Sequence, residues 1–111
     1  MTLEQFRSYC LSKPGSVEDF PFGDDVIVFK VGGKIFALSG VDPFESVNLK
    51  CDPERAQELR EAYPSVLPGY HMNKKHWNTI LMDRTIPLKT IYDWIDHSYS
   101  LVSVKNNKSI K

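Results

Sequence analysis

The residues best suited to chemistry are concentrated in one segment, PGYHMNKKHWNTI, which runs from Pro68 to Ile80. The segment holds two of the three histidines, a pair of lysines, a tryptophan and two asparagines. Imidazoles can bind a metal or move a proton at neutral pH. Lysines and asparagines can bind phosphates and base edges, and aromatic rings can stack on bases. The segment is therefore a candidate metal site, active site or nucleic-acid contact.

A metal site would need the two histidines of this segment to point at one ion. His71 and His76 are separated by five positions. That spacing puts side chains on opposite faces of a strand, and about 140° apart around a helix. No nearby cysteine or carboxylate completes a tetrahedral set of ligands. The sequence therefore predicts neither a metal nor a cofactor.

An active site would need a partner for His76, the histidine that could serve as a general base. The available nucleophiles are Cys51, Thr79 and Tyr70, and none of them stands in a GxSxG or cysteine–histidine signature. The neighbouring carboxylates of Asp24–Asp25 point apart in an extended chain, so they make a poor acid–base pair. The sequence therefore predicts a protein that is not an enzyme.

Contact with a nucleic acid is the function that the segment supports best. The candidate residues are Asn73, Lys74, Lys75 and His76, with Lys30 and Lys34 as a second patch. The lysine ammonium groups can meet phosphates, while Asn73 and Asn78 can hydrogen-bond phosphates or base edges. Two or three phosphate contacts give weak, salt-sensitive binding. A weakly bound nucleic acid, or another anionic partner, is therefore predicted.

Two other interpretations of the segment stay open. Its backbone groups need partners, and asparagine and histidine side chains commonly supply them, so the segment can be a braced loop without a ligand. In that case Trp77 opens a core strand and Met72 plugs the core. Alternatively, Tyr70, Trp77 and Phe22 line a pocket for a small ligand.

Length and charge limit the remaining possibilities. The chain has 111 residues, and a single domain, 1–111, is predicted. Its net charge is zero, whereas nucleic-acid-binding proteins usually carry excess positive charge. The charge is uneven, with a net of −4 over residues 1–69 and of +4 over residues 70–111. The basic half of the chain therefore begins within the segment.

Cysteines and apolar runs predict a cytoplasmic protein. Cys10 and Cys51 show no CxxC or metal-type spacing and are expected to be reduced, partly buried thiols. No apolar run approaches the roughly 20 residues that span a bilayer, so no membrane partner is predicted. The start of the chain, MTLEQFRSYC, is amphipathic and contains Glu4, which is not typical of a secretory signal.

Three helices and about five strands must position these residues. A capping box at Thr2 and Gln5 opens the first helix, Asp52–Pro53 opens the second, and the third runs from residue 85 to about 101. The predicted strands are 26–31, 34–38, 46–51, an irregular strand within 65–76, and 77–82. Residues 16–25 are a predicted connection. Its Phe20 and Phe22 are expected to pack the first helix onto the sheet or, if they are exposed, to form a rim beside the basic segment. Residues from about 103 to 111 are a predicted frayed tail.

The order α-β-β-β-α-β-β-α predicts an α+β fold. Strands joined by short turns must run antiparallel, and Gly32–Gly33 is a two-residue hairpin turn. Three amphipathic helices can cover one face of the sheet. The predicted architecture is a two-layer sandwich, with an antiparallel sheet of about five strands covered by three helices.

Three stretches of this sequence resemble a known family. They are FPFGDDVIVFKVGGKIFAL, CDPERAQELREAYPSVLPGYHMNKKHWNTI and the closing SYSLV. Together they are similar to the MmcQ/YjbR family of small bacterial proteins, over nearly the whole chain. The resemblance implies a two-layer fold with an antiparallel sheet, similar to bacterial frataxin and to type III secretion chaperones.

The same resemblance implies functions as well as a fold. It suggests DNA binding through a "double wing" of hairpins, and it implies no established enzymatic activity. The likeness to secretion chaperones makes a protein partner an alternative to DNA. A small ligand remains the third possibility.

Overall fold

The computed structural model describes residues 1–70 and 72–110. Its elements are α1 (Leu3–Leu11), β1 (Ser16–Asp19), β2 (Val26–Val31), β3 (Lys34–Gly40), β4 (Ser46–Lys50), α2 (Pro53–Ala62), β5 (Val66–Pro68), β6 (Trp77–Leu81) and α3 (Leu88–Ile110). Helices and strands follow the predicted order with one additional strand, β1. The α+β class is confirmed, and the sheet has six strands where about five were predicted.

The strand β1 lies in the segment that was predicted to be only a connection. Gly15, with a φ of 76°, turns the chain after α1 so that Ser16 stands opposite Val31. A strand of four residues, SVED, is too short to show a convincing alternation in the sequence. It forms because β2 offers it a free edge for pairing.

The sheet has the strand order β1-β2-β3-β4-β6-β5, and every neighbouring pair is antiparallel. The first four strands form a meander because the connections between them are short. Gly32 and Gly33, with φ values of 58° and 79°, make the hairpin turn between β2 and β3. Positive φ at both central positions is the requirement of a type I′ turn.

All three helices lie on one face of the sheet. The Phe6 ring of α1 packs edge-on against Phe29 of β2, with ring centroids 5.4 Å apart. In α2 the Ala56 carbonyl accepts a hydrogen bond from Asn78 of β6. In α3 the fully buried Ile95 belongs to the same core cluster as Phe29. These contacts confirm the two-layer sandwich.

A bulge in β3 fits the sheet to α3. Phe29 stands opposite Ala37 but Lys30 stands opposite Ile35, so Phe36 is the extra residue. Phe36 and Ala37 are consequently both buried, although adjacent strand residues normally face opposite ways. The Ser98 hydroxyl of α3 donates to the Phe36 carbonyl and accepts the Lys50 amide. Ser98 therefore links α3 to both β3 and β4 by hydrogen bonds.

The helix caps follow the sequence. Thr2 and Gln5 bond reciprocally as a capping box, and the Asp52 side chain accepts from the Arg55 amide at the start of α2. The third helix begins at Leu88 and includes most of the predicted tail, while Lys111 lies outside the described residues. Within the described chain, no helix has both the length and the apolar character to cross a membrane.

Candidate functional site

The segment between β5 and β6 folds back on itself and is braced by its own backbone. The Gly69 amide donates to the Trp77 carbonyl at 2.9 Å, and a Cβ on Gly69 would stand 2.8 Å from the Trp77 Cβ. Only glycine permits this approach, because real Cβ atoms do not come so close to other atoms. Further along, the Asn73 carbonyl accepts the amides of His76 and Trp77, and the Asn73 side chain accepts the Lys75 amide.

Arg60 of α2 is a residue of this site that sequence reasoning missed. Its guanidinium donates to the carbonyls of Lys74 and Trp77 and, at 2.6 Å, to Oδ1 of Asn78. Asn78 is only 2% exposed and was predicted as a possible base contact. Its buried position instead makes it the link between α2 and β6. A lone arginine in a charged helix gives no signal of this role in the sequence.

The predicted DNA-binding residues of the loop differ in exposure and in the partners of their side chains. Asn73, Lys74 and Lys75 are exposed, and His76 is half-buried. The Lys74 ammonium donates to the Gly69 carbonyl at 3.1 Å, so Lys74 helps to close the loop. Within the described residues, the Lys75 ammonium has no hydrogen-bonding or ionic partner. Lys75 is therefore the cation of the loop most available to an anion.

The second predicted patch, Lys30 and Lys34, is divided by the strand register. Lys30 pairs with Ile35 across the hairpin and Lys34 pairs with Val31, so their side chains leave opposite faces of the sheet. Lys30 is also neutralised by Asp19, with Nζ 2.8 Å from Oδ2. The hydrogen bond from this ammonium holds the pKa of Asp19 below its ordinary value. Lys34 is exposed at the hairpin tip.

The two basic regions share one end of the sheet without forming a single patch. Lys50, the last residue of β4, stands opposite Trp77, the first residue of β6. The strand β3 begins at Lys34 and lies beside β4. The hairpin tip and the loop before β6 are therefore at the same end of neighbouring strands. Lys34 faces the helix side, however, whereas Lys30 faces the side without helices.

The histidines do not assemble a metal site in the described part of the chain. No group of three or more histidine, cysteine, aspartate or glutamate side chains there could hold an ion. His71 lies outside the described residues. His97 is half-buried, and its Nε2 accepts the Asp52 amide at 3.2 Å. Burial, and then the charge of Arg55, lower the pKa of His97.

The face of the sheet without helices carries a groove lined by aromatic and apolar side chains. This open-face groove has a volume of about 380 Å³, and its lining includes Phe22, Val26, Leu38, Asn48, Tyr70 and Met72. Phe22 is 65% exposed and Tyr70 is 71% exposed. Two of the three predicted pocket residues, Phe22 and Tyr70, are therefore brought together across one groove.

Three aromatic or apolar residues are placed differently from their prediction. Phe20 and Phe22 do not pack α1 onto the sheet, because both are exposed, and Phe6 makes that contact instead with Phe29 and Phe44. Met72 lines the open-face groove rather than plugging the core between sheet and helices.

Trp77 is neither a core residue nor part of the groove lining. It is half-buried, and strand alternation puts it on the face opposite to the buried Asn78. Its carbonyl accepts the Gly69 amide, and its Cβ leaves room only for glycine at position 69. The third residue of the predicted pocket therefore shapes the loop beside the groove.

A chain of hydrogen bonds connects two residues of the groove lining, Tyr70 and Asn48, through Thr79. The Tyr70 amide donates to Thr79 Oγ1 at 3.0 Å, and the Thr79 hydroxyl donates to Asn48 Oδ1 at 2.5 Å. Asn48 and Thr79 are directly opposite each other in β4 and β6. The chain fixes the start of the loop against the sheet, and it orients the amide of Asn48, a residue of the groove lining.

Comparison with known proteins identifies the family but no activity. A model of the YjbR family matches residues 11–101. The Escherichia coli O157:H7 protein YbdF is 47% identical over 87 residues, which are 75% of this chain and 69% of that protein. YjbR of Escherichia coli K12 is 35% identical over 100 residues, 89% of this chain and 85% of its own length. Both relatives are uncharacterized proteins.

A solved structure agrees with the fold described above. The Deinococcus radiodurans protein DR2400, of the domain DUF419, is similar with a TM-score of 0.88 and 45% sequence identity. The similarity covers 95% of this chain and 80% of that one. The family match and the curated relatives together confirm the resemblance found in the sequence. The chain belongs to the YjbR family.

Proposed function

We propose that this protein is a non-enzymatic binding domain that takes up single-stranded DNA weakly along the face of the sheet without helices. The observation that carries the proposal is the pair of exposed rings, Phe22 and Tyr70, which line one groove. Large aromatic rings exposed side by side commonly mark an interaction surface. Unpaired bases of every kind can stack on such rings, with only modest sequence preferences.

The loop that follows Tyr70 supplies the positive charge for the proposal. Lys74 and Lys75 are exposed only four and five positions beyond the ring that would hold a base. With so few cations and a net charge of zero, binding should be weak and should weaken further with salt. A duplex keeps its bases stacked inside, so exposed rings favour the single strand over the double helix.

The cysteines support a binding role rather than catalysis. Burial raises the pKa of both the Cys10 and the Cys51 thiol. A nucleophilic cysteine needs a lowered pKa, because the thiolate is the reactive form. Both cysteines are free and buried, which also supports the proposed cytoplasmic location.

Fluorescence anisotropy with a labelled oligothymidine of about ten nucleotides tests the proposal. The protein should bind this strand at micromolar concentration in low salt, and should bind a duplex of equal length more weakly. Tyr70→Ala should weaken binding about tenfold, since one stacked base contributes roughly 1–3 kcal/mol. Lys75→Ala should lower the slope of log affinity against log salt by about 0.7.

Lys89→Ala is the matched control for charge. Lys89 is exposed near the start of α3, on the helix side of the sheet, so its loss should leave both affinity and salt slope unchanged. Absence of binding in low salt would end the proposal. Equal binding by wild type, Tyr70→Ala and Lys75→Ala would end it as well.

A small planar ligand is the second candidate. It is favoured by the groove volume of about 380 Å³, which falls within the range of small-molecule sites. A thermal-shift screen with nucleotides and aromatic metabolites tests it, with Tyr70→Ala as the variant that should lose the shift. A protein partner and the likeness to frataxin and secretion chaperones stay predictions. Light scattering, which would detect a chaperone-like dimer, addresses the first of these.

A further inference from the structure

The amide of Asn48 offers hydrogen-bond donors to the open-face groove. Asn48 lies in the middle of β4, is half-buried, and lines the same groove as Phe22 and Tyr70. Its Oδ1 accepts from Thr79 at 2.5 Å. Among the described residues, its Nδ2 has no acceptor. Two N–H donors without an acceptor in the described part of the chain therefore belong to a groove that two exposed aromatic rings also line.

The orientation of this amide follows from the partners of Thr79. A threonine hydroxyl has one hydrogen to donate and lone pairs to accept with. Thr79 Oγ1 already accepts the Tyr70 amide, so its own hydrogen is available for Asn48. If the amide of Asn48 were turned around, the hydroxyl hydrogen would lose its acceptor. Oδ1 therefore faces Thr79, and Nδ2 faces away from it.

We propose that Asn48 selects bases with a ring carbonyl when single-stranded DNA occupies the groove. The inference rests on the proposed function, and it deepens it by naming the base. A ring carbonyl has two lone pairs and fits a group that offers only donors. Asparagine usually recognises adenine with donor and acceptor together, but here the acceptor is engaged by Thr79. Thymine, with two ring carbonyls, is the expected occupant.

Stacking alone would give the opposite order of preference. Adenine has the larger ring system and stacks more strongly on Phe22 and Tyr70 than thymine does. A site that used only its aromatic rings would bind oligoadenosine more tightly, since such preferences follow stacking strength. A preference for thymine therefore reports the hydrogen bond from Asn48. One such bond corresponds to about five- to tenfold in affinity.

The test compares labelled oligothymidine and oligoadenosine by anisotropy in low salt, for wild type and two variants. Wild type should bind oligothymidine more tightly than oligoadenosine, by up to about tenfold, because the stacking advantage of adenine offsets part of the hydrogen bond from Asn48. Asn48→Asp keeps an acceptor for Thr79 but replaces the donors with an acceptor, so it should reverse the preference. Asn48→Leu removes the amide altogether and should leave the order set by stacking.

Each outcome bears on the inference separately from the proposed function. Equal binding of the two strands by wild type, or a thymine preference that survives Asn48→Asp, would overturn the role of Asn48 and leave single-strand binding intact. No binding of either strand would overturn the proposed function itself. Free thymidine should compete only at concentrations far above those of the strand. Competition at equal concentration would show that the groove takes nucleosides and would overturn the assignment to a strand.

Discussion

Arg60 and Asn78 form the contact that holds the loop before β6. Nε of Arg60 lies 2.6 Å from Oδ1 of Asn78, and the amide nitrogen of Asn78 donates to the Ala56 carbonyl in the same helix. The guanidinium also binds the carbonyls of Lys74 and Trp77. Helix α2 therefore controls the position of a loop that lies outside it.

The first prediction concerns this contact. Arg60→Ala leaves the buried Asn78 oxygen without a partner, so it should lower the free energy of unfolding by about 1–3 kcal/mol. Urea denaturation followed by circular dichroism measures the change. Arg55→Ala removes the same charge from the same helix and should cost less than about 0.5 kcal/mol. Equal effects of the two variants would show that Arg60 acts only through its charge.

The second prediction concerns the serine under the bulge of β3. Ser98→Ala removes a hydrogen-bond donor to the Phe36 carbonyl and an acceptor of the Lys50 amide. It should lower the free energy of unfolding by about 1–3 kcal/mol. Ser100→Ala is the control, because its hydroxyl bonds only to the His97 carbonyl in the same exposed helix turn. If thermal denaturation gave both variants the melting temperature of wild type, the bulge would not depend on Ser98.

The third prediction is a pH dependence from His97. In the folded protein, burial and the charge of Arg55 lower the pKa of His97, and Asp52 opposes them only in part. In the unfolded chain His97 has its ordinary pKa near 6.5. The unfolded chain thus takes up the proton first. The contribution to stability is complete above pH 6.5 and is lost as the pH falls through that value toward the lower folded pKa.

Chemical denaturation over a series of pH values measures this contribution. His97→Gln keeps an acceptor for the Asp52 amide but does not titrate, so its stability should fall less steeply between neutral and mildly acidic pH. Parallel profiles for wild type and His97→Gln would contradict the prediction.

The fourth prediction concerns thiol reactivity. Cys10 is 0% exposed and Cys51 is 5% exposed, and burial raises the pKa of both. Ellman's reagent should therefore react slowly with the native protein and should reveal both thiols quickly in denaturant. Lys89→Cys adds a thiol at an exposed position and should react at once under native conditions. A fast native reaction in the wild type would place one cysteine at the surface.

Most elements of the fold could be predicted from local sequence signals, whereas the strand that was not predicted depends on a partner distant in the sequence. The helix caps and the hairpin turn depend only on neighbouring residues, so they can be recognised in the sequence. They are Thr2 with Gln5, Asp52 with Pro53, and Gly32–Gly33. The strand β1 owes its existence to an edge offered by β2 after the turn at Gly15. Nothing within its four residues reveals that edge.

The site was less predictable because partners decide the role of its residues. The same lysine side chain closes a loop at Lys74, forms an ion pair at Lys30 and stays available at Lys75. The residue type of Asn78 suggests a base contact, yet its side-chain amide is hydrogen-bonded to Arg60 and to the Ala56 carbonyl. Conversely, the Asn48 amide nitrogen has no acceptor among the described residues, and its orientation follows from the register that places Asn48 opposite Thr79.

The two outer strands of the sheet determine how readily it pairs with the strands of other molecules in a crowded cell. On one side β1 has four residues, with the carboxylates of Glu18 and Asp19, and on the other β5 has three residues and ends at Pro68, which has no amide hydrogen. Short, charged or proline-containing edges are poor templates for the strand of another molecule. The sheet therefore resists growing into aggregates through its edges, even though its face without helices carries exposed aromatic rings.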